Sequence, residues 1–363
     1  MSDNLRRYRA IKTGLLQVYP GEAKGHQLQS LAVLAMFING IVASKSTHTR
    51  EVAKKTPTGA KVSSREKQLS RWYQNKEVSY ESHMLPFVQE LLTHLSQLTL
   101  VLAIDGSDVG RNCVTLLVSL IYQQRAIPLR YLVRSGKKGH FPAELHIELL
   151  TELAKLLPDG TDVILVGDGE FDSIELQTFL ANTGWHYVCR TAKNTLILQD
   201  EQWQRLDEIE LWPGACLPLF AVTLTPQAYA LPLAILWWRP DCAEPLYLVT
   251  NFDLVEEACY WYGKRMRIET FFSDQKSRGF HLHQSRISDP QRLARVMIAA
   301  CLAYIWIIYL GVLCHQDGWI SHIHRTDRCD LSLFQLGLDL LEHFLNEDLP
   351  IRFAFRLPLR YPA

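Results

Sequence analysis

Three apolar runs follow one another with little between them: Leu98–Ile104 (LTLVLAI), Cys113–Tyr122 (CVTLLVSLIY) and Ile127–Val133 (IPLRYLV). Each has strand length and is continuously apolar, as strands buried on both faces are. Connections this short join antiparallel neighbours. The pattern then alternates. Ala143–Leu157 carries leucines at helical spacing, Asp162–Val166 is a further buried strand, Ser173–Asn182 reads as a helix and Trp185–Arg190 as a strand. Three antiparallel strands followed by alternating helix and strand predict an α/β chain: a mixed sheet with helices packed on it.

The flanks differ. Residues 1–95 read as helical, with Leu28–Ile41 a core helix and Ser63 capping a helix that Glu66 closes as a box. That helix carries Lys67 and Arg71 one turn apart, either as a solvated face or as a DNA-contacting one. Residues 195–245 are rich in Pro, Trp and short apolar runs and predict β-hairpins. Leu246–Thr250 is a strand, a helix runs from about Glu256 to Arg278, and an apolar helix follows Pro290. The expected division is a helical N-terminal region at 1–95, core at 96–194, β-rich insertion at 195–245, core again at 246–315 and a helical tail at 316–363.

Val296–Leu313 is 18 residues without a charge, near the lower limit for a membrane span, and reads as a buried core helix; no membrane partner is expected. The N-terminus lacks an apolar leader, and the 8 cysteines form no CxxC pair. A reduced, cytoplasmic setting fits, and a zinc site does not. The formal net charge is zero, but it is segregated: residues 1–90 hold 14 Lys+Arg against 7 Asp+Glu, and residues 260–300 hold 8 against 3. Such faces suit a polyanion. Lys137 and Lys138, with His140 beside them, read either as a solvated loop or as a DNA contact, the loop being preferred.

Two acids abut the buried strands. Asp105 follows the first and Asp168 the fourth, where open α/β sheets gather functional groups; Asp108 and Asp172 are nearby competitors, and any one such Asp also serves as a turn former. On a continuous helix, Tyr262, Arg265, Glu269 and Lys276 fall within a ~60° arc. Trp261, Ile268, Phe271 and Phe272 occupy the adjoining face and can pack on the sheet. The same spacing also describes a plain amphipathic helix with an Arg265–Glu269 pair.

Those four residues form Y-x2-R-x3-E-x6-K, which resembles the signature of DDE transposases of the insertion-sequence-four kind. VLAIDGS around Asp105 and ILVGDGEFDS around Asp168 are similar to that family's other two acidic motifs. The order Asp, Asp, β-rich insertion, Glu matches as well, over roughly residues 95–310; Met266 stands where the family often has Trp. The resemblance implies an RNase H-like mixed sheet flanked by helices, with a β-rich insertion and a helical N-terminal domain. It implies catalytic acids Asp105, Asp168 and Glu269 that also hold two Mg²⁺ ions, with Mn²⁺ as a substitute. Tyr262, Arg265 and Lys276 would grip DNA phosphates, and Arg71 would add a DNA contact from the N-terminal region. An insertion aromatic would stack on a flipped base; Trp237 and Trp238 are candidates, as are Trp203 and Trp212, with Trp238 taken forward. The partners implied are double-stranded DNA, both terminal inverted repeats and target, and a second copy of the chain in a synaptic homodimer. The activity implied is cut-and-paste transposition: nick, hairpin, strand transfer.

Overall fold

A computed structural model describes residues 1–95, 98–137, 139, 141–158, 160–199, 201–224, 228–325 and 328–358; Lys138 and His140 lie outside them. The N-terminal part is helical: α1 (Asp3–Val18), α2 (Gly25–Ser44), α3 (Thr49–Lys54), α4 (Val62–Gln74), α5 (Tyr80–His83) and α6 (Leu85–Leu95). The expected Ser63 cap does not form. Helix α4 starts two residues earlier, at Val62, with Lys61 at the cap position and no side-chain cap, so Ser63 already lies inside the helix. Helix α4 is held from elsewhere: Trp72 Nε1 donates to Ser30 O at 3.1 Å, and Arg295 donates to Tyr73 O and Val78 O.

The meander follows as β1 (Leu100–Gly110), β2 (Cys113–Tyr122) and β3 (Arg125–Ser135). Two-residue turns join them, with left-handed backbone at Asn112 in the first and Gln123 in the second. Helix α7 (Ala143–Ala154), β4 (Val163–Gly167), α8 (Ile174–Asn182) and β5 (His186–Arg190) complete the alternation; Ser173 caps α8 by accepting from Leu176 N at 3.2 Å. Strand β4 pairs parallel with the free side of β1, and β5 pairs parallel with β4 in turn. The order β3-β2-β1-β4-β5 is the RNase H-like arrangement.

The insertion does not stand apart. Its strands β6 (Leu196–Gln199), β7 (Gln202–Arg205), β8 (Cys216–Leu224) and β9 (Tyr229–Trp237) extend the same sheet. Strand β10 (Leu246–Thr250) is the seam, antiparallel to β5 on one side and β9 on the other. The described sheet therefore has ten strands, in the order β3-β2-β1-β4-β5-β10-β9-β8-β6-β7.

The single helix expected over 256–278 is two, α9 (Val255–Tyr262) and α10 (Arg267–Gln275). Between them the chain winds tighter: Arg265 N bonds Tyr262 O, Arg267 N bonds Lys264 O and Glu269 N bonds Met266 O, all three residues back. Gly263, a weak helix former, sits at the break. The Gly263 carbonyl, which Arg267 N would take in a continuous helix, instead accepts from the Arg267 side chain at 2.9 Å.

Helices α11 (Pro290–Gln316), α12 (Ile320–Ile323) and α13 (Leu333–Asn346) close the chain. Asp289 caps α11 by accepting from Arg292 N, and Pro290 takes the first turn. Among the described residues two helices, α2 and α11, are long and apolar enough to cross a membrane, and the apolar stretch of α11 is 94% buried inside the protein. It packs on α13 through glycines: a Cβ at Gly337 would fall 1.9 Å from Ile307 O, and one at Gly311 2.0 Å from Leu333 O. Only hydrogen fits at those crossings.

Candidate active site

The β1–β4 register fixes the first two acids. The last parallel partners are Ala103 and Val166. Asp105 and Asp168 each lie two residues further on, so by the period-two alternation of strands they share a face and a level. The apolar run predicts Asp105 just beyond its strand. It lies inside β1, because pairing with β2 continues through Asp105↔Leu117 after pairing with β4 has ended. Asp168 follows β4 directly. The site is thus the crevice at the carboxyl ends of two parallel strands whose onward connections diverge, the usual location for function in open α/β sheets.

Asp105 is 7% exposed, and its Oδ1 accepts from Gly106 N at 2.7 Å. Asp168 divides its oxygens: Oδ1 accepts from Glu170 N at 3.1 Å, making the turn, and Oδ2 faces Arg265 at 4.0 Å. Glu269, in the first turn of α10, is exposed and meets Arg265 Nη2 at 3.2 Å. Arg265 is the hub. Burial works against its charge, but Tyr262, Asp168, Asp105 and Glu269 together outweigh burial and raise its pKa. All three acids therefore act on one guanidinium. The Tyr262 phenol is buried, which pushes its pKa up against the pull of Arg265 and Arg190. Lys276, just past α10, donates to Ser107 Oγ at 2.6 Å; Ser107 shares a face of β1 with Asp105.

The structure thus assembles Asp105, Asp168, Glu269, Tyr262, Arg265 and Lys276 around one crevice, although they do not project from one straight helix. The competitors are engaged otherwise. Asp172 Oδ2 accepts from Thr191 Oγ1 at 2.6 Å, and Asp108 is on the other face of β1. Arg71 and Trp238 are not at the crevice. Arg71 lines a separate cavity of about 1130 Å³ between α2 and α4. Trp238 is half-buried, and its indole donates to Cys242 O at 3.2 Å. Trp203 and Trp212 are the exposed tryptophans of the insertion, at 48% and 66%.

Sequence reading missed a second side of the site. A cavity of about 770 Å³ opens beside Asp168 and Arg265 and is lined by Arg190, Lys193 and Tyr247. Arg190 ends β5 as Asp168 follows β4, so the logic that picked out the acid would also have found the cation.

Three carboxylates are the hard oxygen donors that Mg²⁺ and Mn²⁺ take. Two of them face solvent, with side chains 35% and 49% exposed. The donor chemistry fits divalent ions. Among the described residues no three Asp, Glu, His or Cys side chains surround one point closely enough to ligate an ion as they stand; the Arg265 guanidinium lies among these three acids.

No curated protein matches the sequence. Among solved structures, a piggyBac transposase synaptic complex with hairpin DNA is 12% identical and covers 96% of this chain and 82% of its own, with a TM-score of 0.48. Human endonuclease V, at 15% identity, covers 58% and 86% with a TM-score of 0.26. Endonuclease V of Ciona intestinalis, bound to an inosine-containing DNA, is also 15% identical and covers 58% and 97% with a TM-score of 0.28. These likenesses are too distant to lend this chain a ligand or an activity. The family model for the transposase DDE domain, by contrast, matches residues 96–306, more than half of the chain, with Asp105, Asp168 and Glu269 all inside it: the chain belongs to the DDE transposase family.

Proposed function

We propose that this chain is a cut-and-paste DNA transposase of the insertion-sequence-four kind, with Asp105, Asp168 and Glu269 as ligands of two Mg²⁺ ions, for which Mn²⁺ can substitute. The observation that carries this reading is that Asp105 and Asp168 each lie two residues past the last β1–β4 partners and, with Glu269, act on one arginine. Bound there, divalent ions supply Lewis-acid activation of the attacking hydroxyl and counter-charge for the phosphate. The chain's own residues do the rest. Arg265 offers a planar fork to phosphate and Lys276 a compact ammonium. Tyr262 is packed so that it orients Arg265, and Arg190 and Lys193 extend the cationic wall beside Asp168.

The reaction order follows from hydroxyl supply. Water attacks one strand at the element end and leaves a 3′-hydroxyl. That hydroxyl attacks the opposite strand, closing a hairpin; an exposed insertion aromatic stacks on the base this displaces. Water reopens the hairpin, and the 3′-hydroxyl joins target DNA. The partners are the two terminal inverted repeats, target duplex and a second copy of the chain bridging the ends, in the cytoplasm and with no membrane.

The test is incubation of purified protein with DNA from the flanks of its own gene and Mg²⁺ or Mn²⁺. Nicks, then hairpins, then joined products are expected. Nicking without joining of a pre-cleaved 3′ end would mark an RNase H-like nuclease, and joining that persists in Asp168→Ala would remove the acids from the chemistry.

A further inference from the structure

Three consecutive residues close α10, and each reaches a different element. Lys276 donates to Ser107 on β1 at 2.6 Å, and Gln275 Nε2 donates to Ala300 O on α11 at 3.3 Å. Asp274 Oδ2 accepts from Arg125 Nη1, at the start of β3, at 2.7 Å. This last pair is enclosed, with side chains only 12% and 6% exposed. The wholly buried Tyr304 of α11 lies against it, and Arg278 adds a more distant positive charge. The chain folds back over the end of α10: Phe280 N donates to the main-chain carbonyl of Asp274 at 2.9 Å, and a Cβ at Gly279 would fall 2.1 Å from the same carbonyl oxygen.

Burying two charges is an inefficient way to hold a helix, because apolar side chains of similar size often stabilise as well or better. A buried pair fixes something apolar contacts do not, the sliding and rotation of the helix, since either motion would pull a desolvated charge off its partner. Asp274 lies about 7–8 Å along the helix axis from Glu269 at 1.5 Å per residue. Arg125 stands at the turn into β3. Strand β3 pairs with β2, and β2 pairs Leu117 with Asp105. The pair therefore spans the two bodies that carry the acids.

We propose that Arg125 and Asp274 form a positioning latch that sets Glu269 against Asp105 and Asp168, with neither partner touching metal or DNA. This rests on the metal-site reading above. It is tested in the full chain without DNA, by Mn²⁺ titration read from the free-ion electron paramagnetic resonance signal, alongside thermal unfolding. The double variant R125M/D274L, which removes both charges, is expected to keep its unfolding temperature within a few degrees of wild type, yet to bind Mn²⁺ at least tenfold more weakly. On DNA its kcat falls while KM holds. The variant R125K keeps the charge but shifts it, so it folds and binds Mn²⁺ several-fold more weakly, which covers a double variant that does not fold. Wild-type Mn²⁺ affinity in a folded R125M/D274L or in R125K overturns the latch. Wild type that takes up no more Mn²⁺ than Glu269→Gln overturns the metal reading itself, a result separate from the first.

Discussion

Helix α10 carries two arginine–carboxylate pairs, one at each end, and they are built in opposite ways. At its N-terminal end Arg265 meets Glu269 at 3.2 Å, and the carboxylate is 49% exposed. At its C-terminal end Arg125 meets Asp274 at 2.7 Å, and the carboxylate is 6% exposed. The arginine side chains are equally covered, at 12% each. The difference lies in the acid. An exposed carboxylate beside two others remains available to ligands, and its pair with Arg265 adds little to stability. An enclosed one is committed to its partner, and breaking that pair leaves a charge stranded. On the readings proposed above, one helix keeps its chemistry at one end and its anchorage at the other.

The sharpest way to break this comparison is to remove the acids singly. Replacing Asp105, Asp168 or Glu269 by Ala is expected to lower Mg²⁺-dependent cleavage by on the order of 10³-fold, as loss of a principal electrostatic element does, with DNA affinity in a shift assay largely kept. Cleavage within tenfold of wild type in any of the three would move the chemistry elsewhere. Asp274→Ala should do the reverse, destabilising the fold by about 3–5 kcal/mol in chemical denaturation, because Arg125 is left buried and unpaired. A loss below about 1 kcal/mol would place that pair among the weak surface ones.

The two ends also differ in how far the sequence displayed them. Glu269 was legible because a four-residue spacing marks it, and Asp105 and Asp168 because each abuts an apolar run. The Asp274–Arg125 pair joins residues 149 apart in the chain, and no local pattern announces a contact of that range. The same limit explains the insertion: β6–β9 read as hairpins, but their union with the main sheet depends on β10 pairing on both edges, which local alternation does not encode. Other errors were local, among them the Ser63 cap, since helix α4 begins before that serine. The run ending at Ile104 hid the strand that continues to Gly110, since paired strands tolerate polar residues facing a crevice. The stretch 263–266 read as helix because i, i+3 and i, i+4 bonding favour nearly the same spacing. Arg71, expected on a DNA-contacting helix of the N-terminal region, lines the cavity between α2 and α4, and the indole of Trp238, expected as an insertion aromatic, donates to Cys242 O.

Acid pH sharpens the contrast more gently. Burial pushes the Asp274 carboxyl up from 3.8 to about 6 despite Arg125 and Arg278. A folded pKa above the unfolded one means the folded state holds the proton more tightly, so this group's contribution to stability grows as pH falls from about 6 towards 4 and is lost as pH rises again. Other acids run the other way: hydrogen bonds from Arg239 and Lys54 depress Asp241 and Glu51. The difference isolates Asp274. Wild type is expected to gain on R125M/D274L by on the order of 2 kcal/mol between pH 7 and pH 4. A difference that stays flat across that range would show Asp274 ionising as freely as in water.

The smallest effect falls at the exposed end. Glu269→Gln removes one charge from the Arg265 pair, and an exposed i, i+4 pair contributes about 0.3–0.5 kcal/mol. Asp105 and Asp168 still act on Arg265 in that variant, so its buried charge keeps counter-charge that Arg125 lacks once Asp274 is gone. Unfolding free energy is therefore expected to fall by less than about 0.5 kcal/mol. A loss above about 2 kcal/mol in Glu269→Gln would mean that the acid at the chemical end of α10 also anchors the helix, and the division of labour along it would disappear.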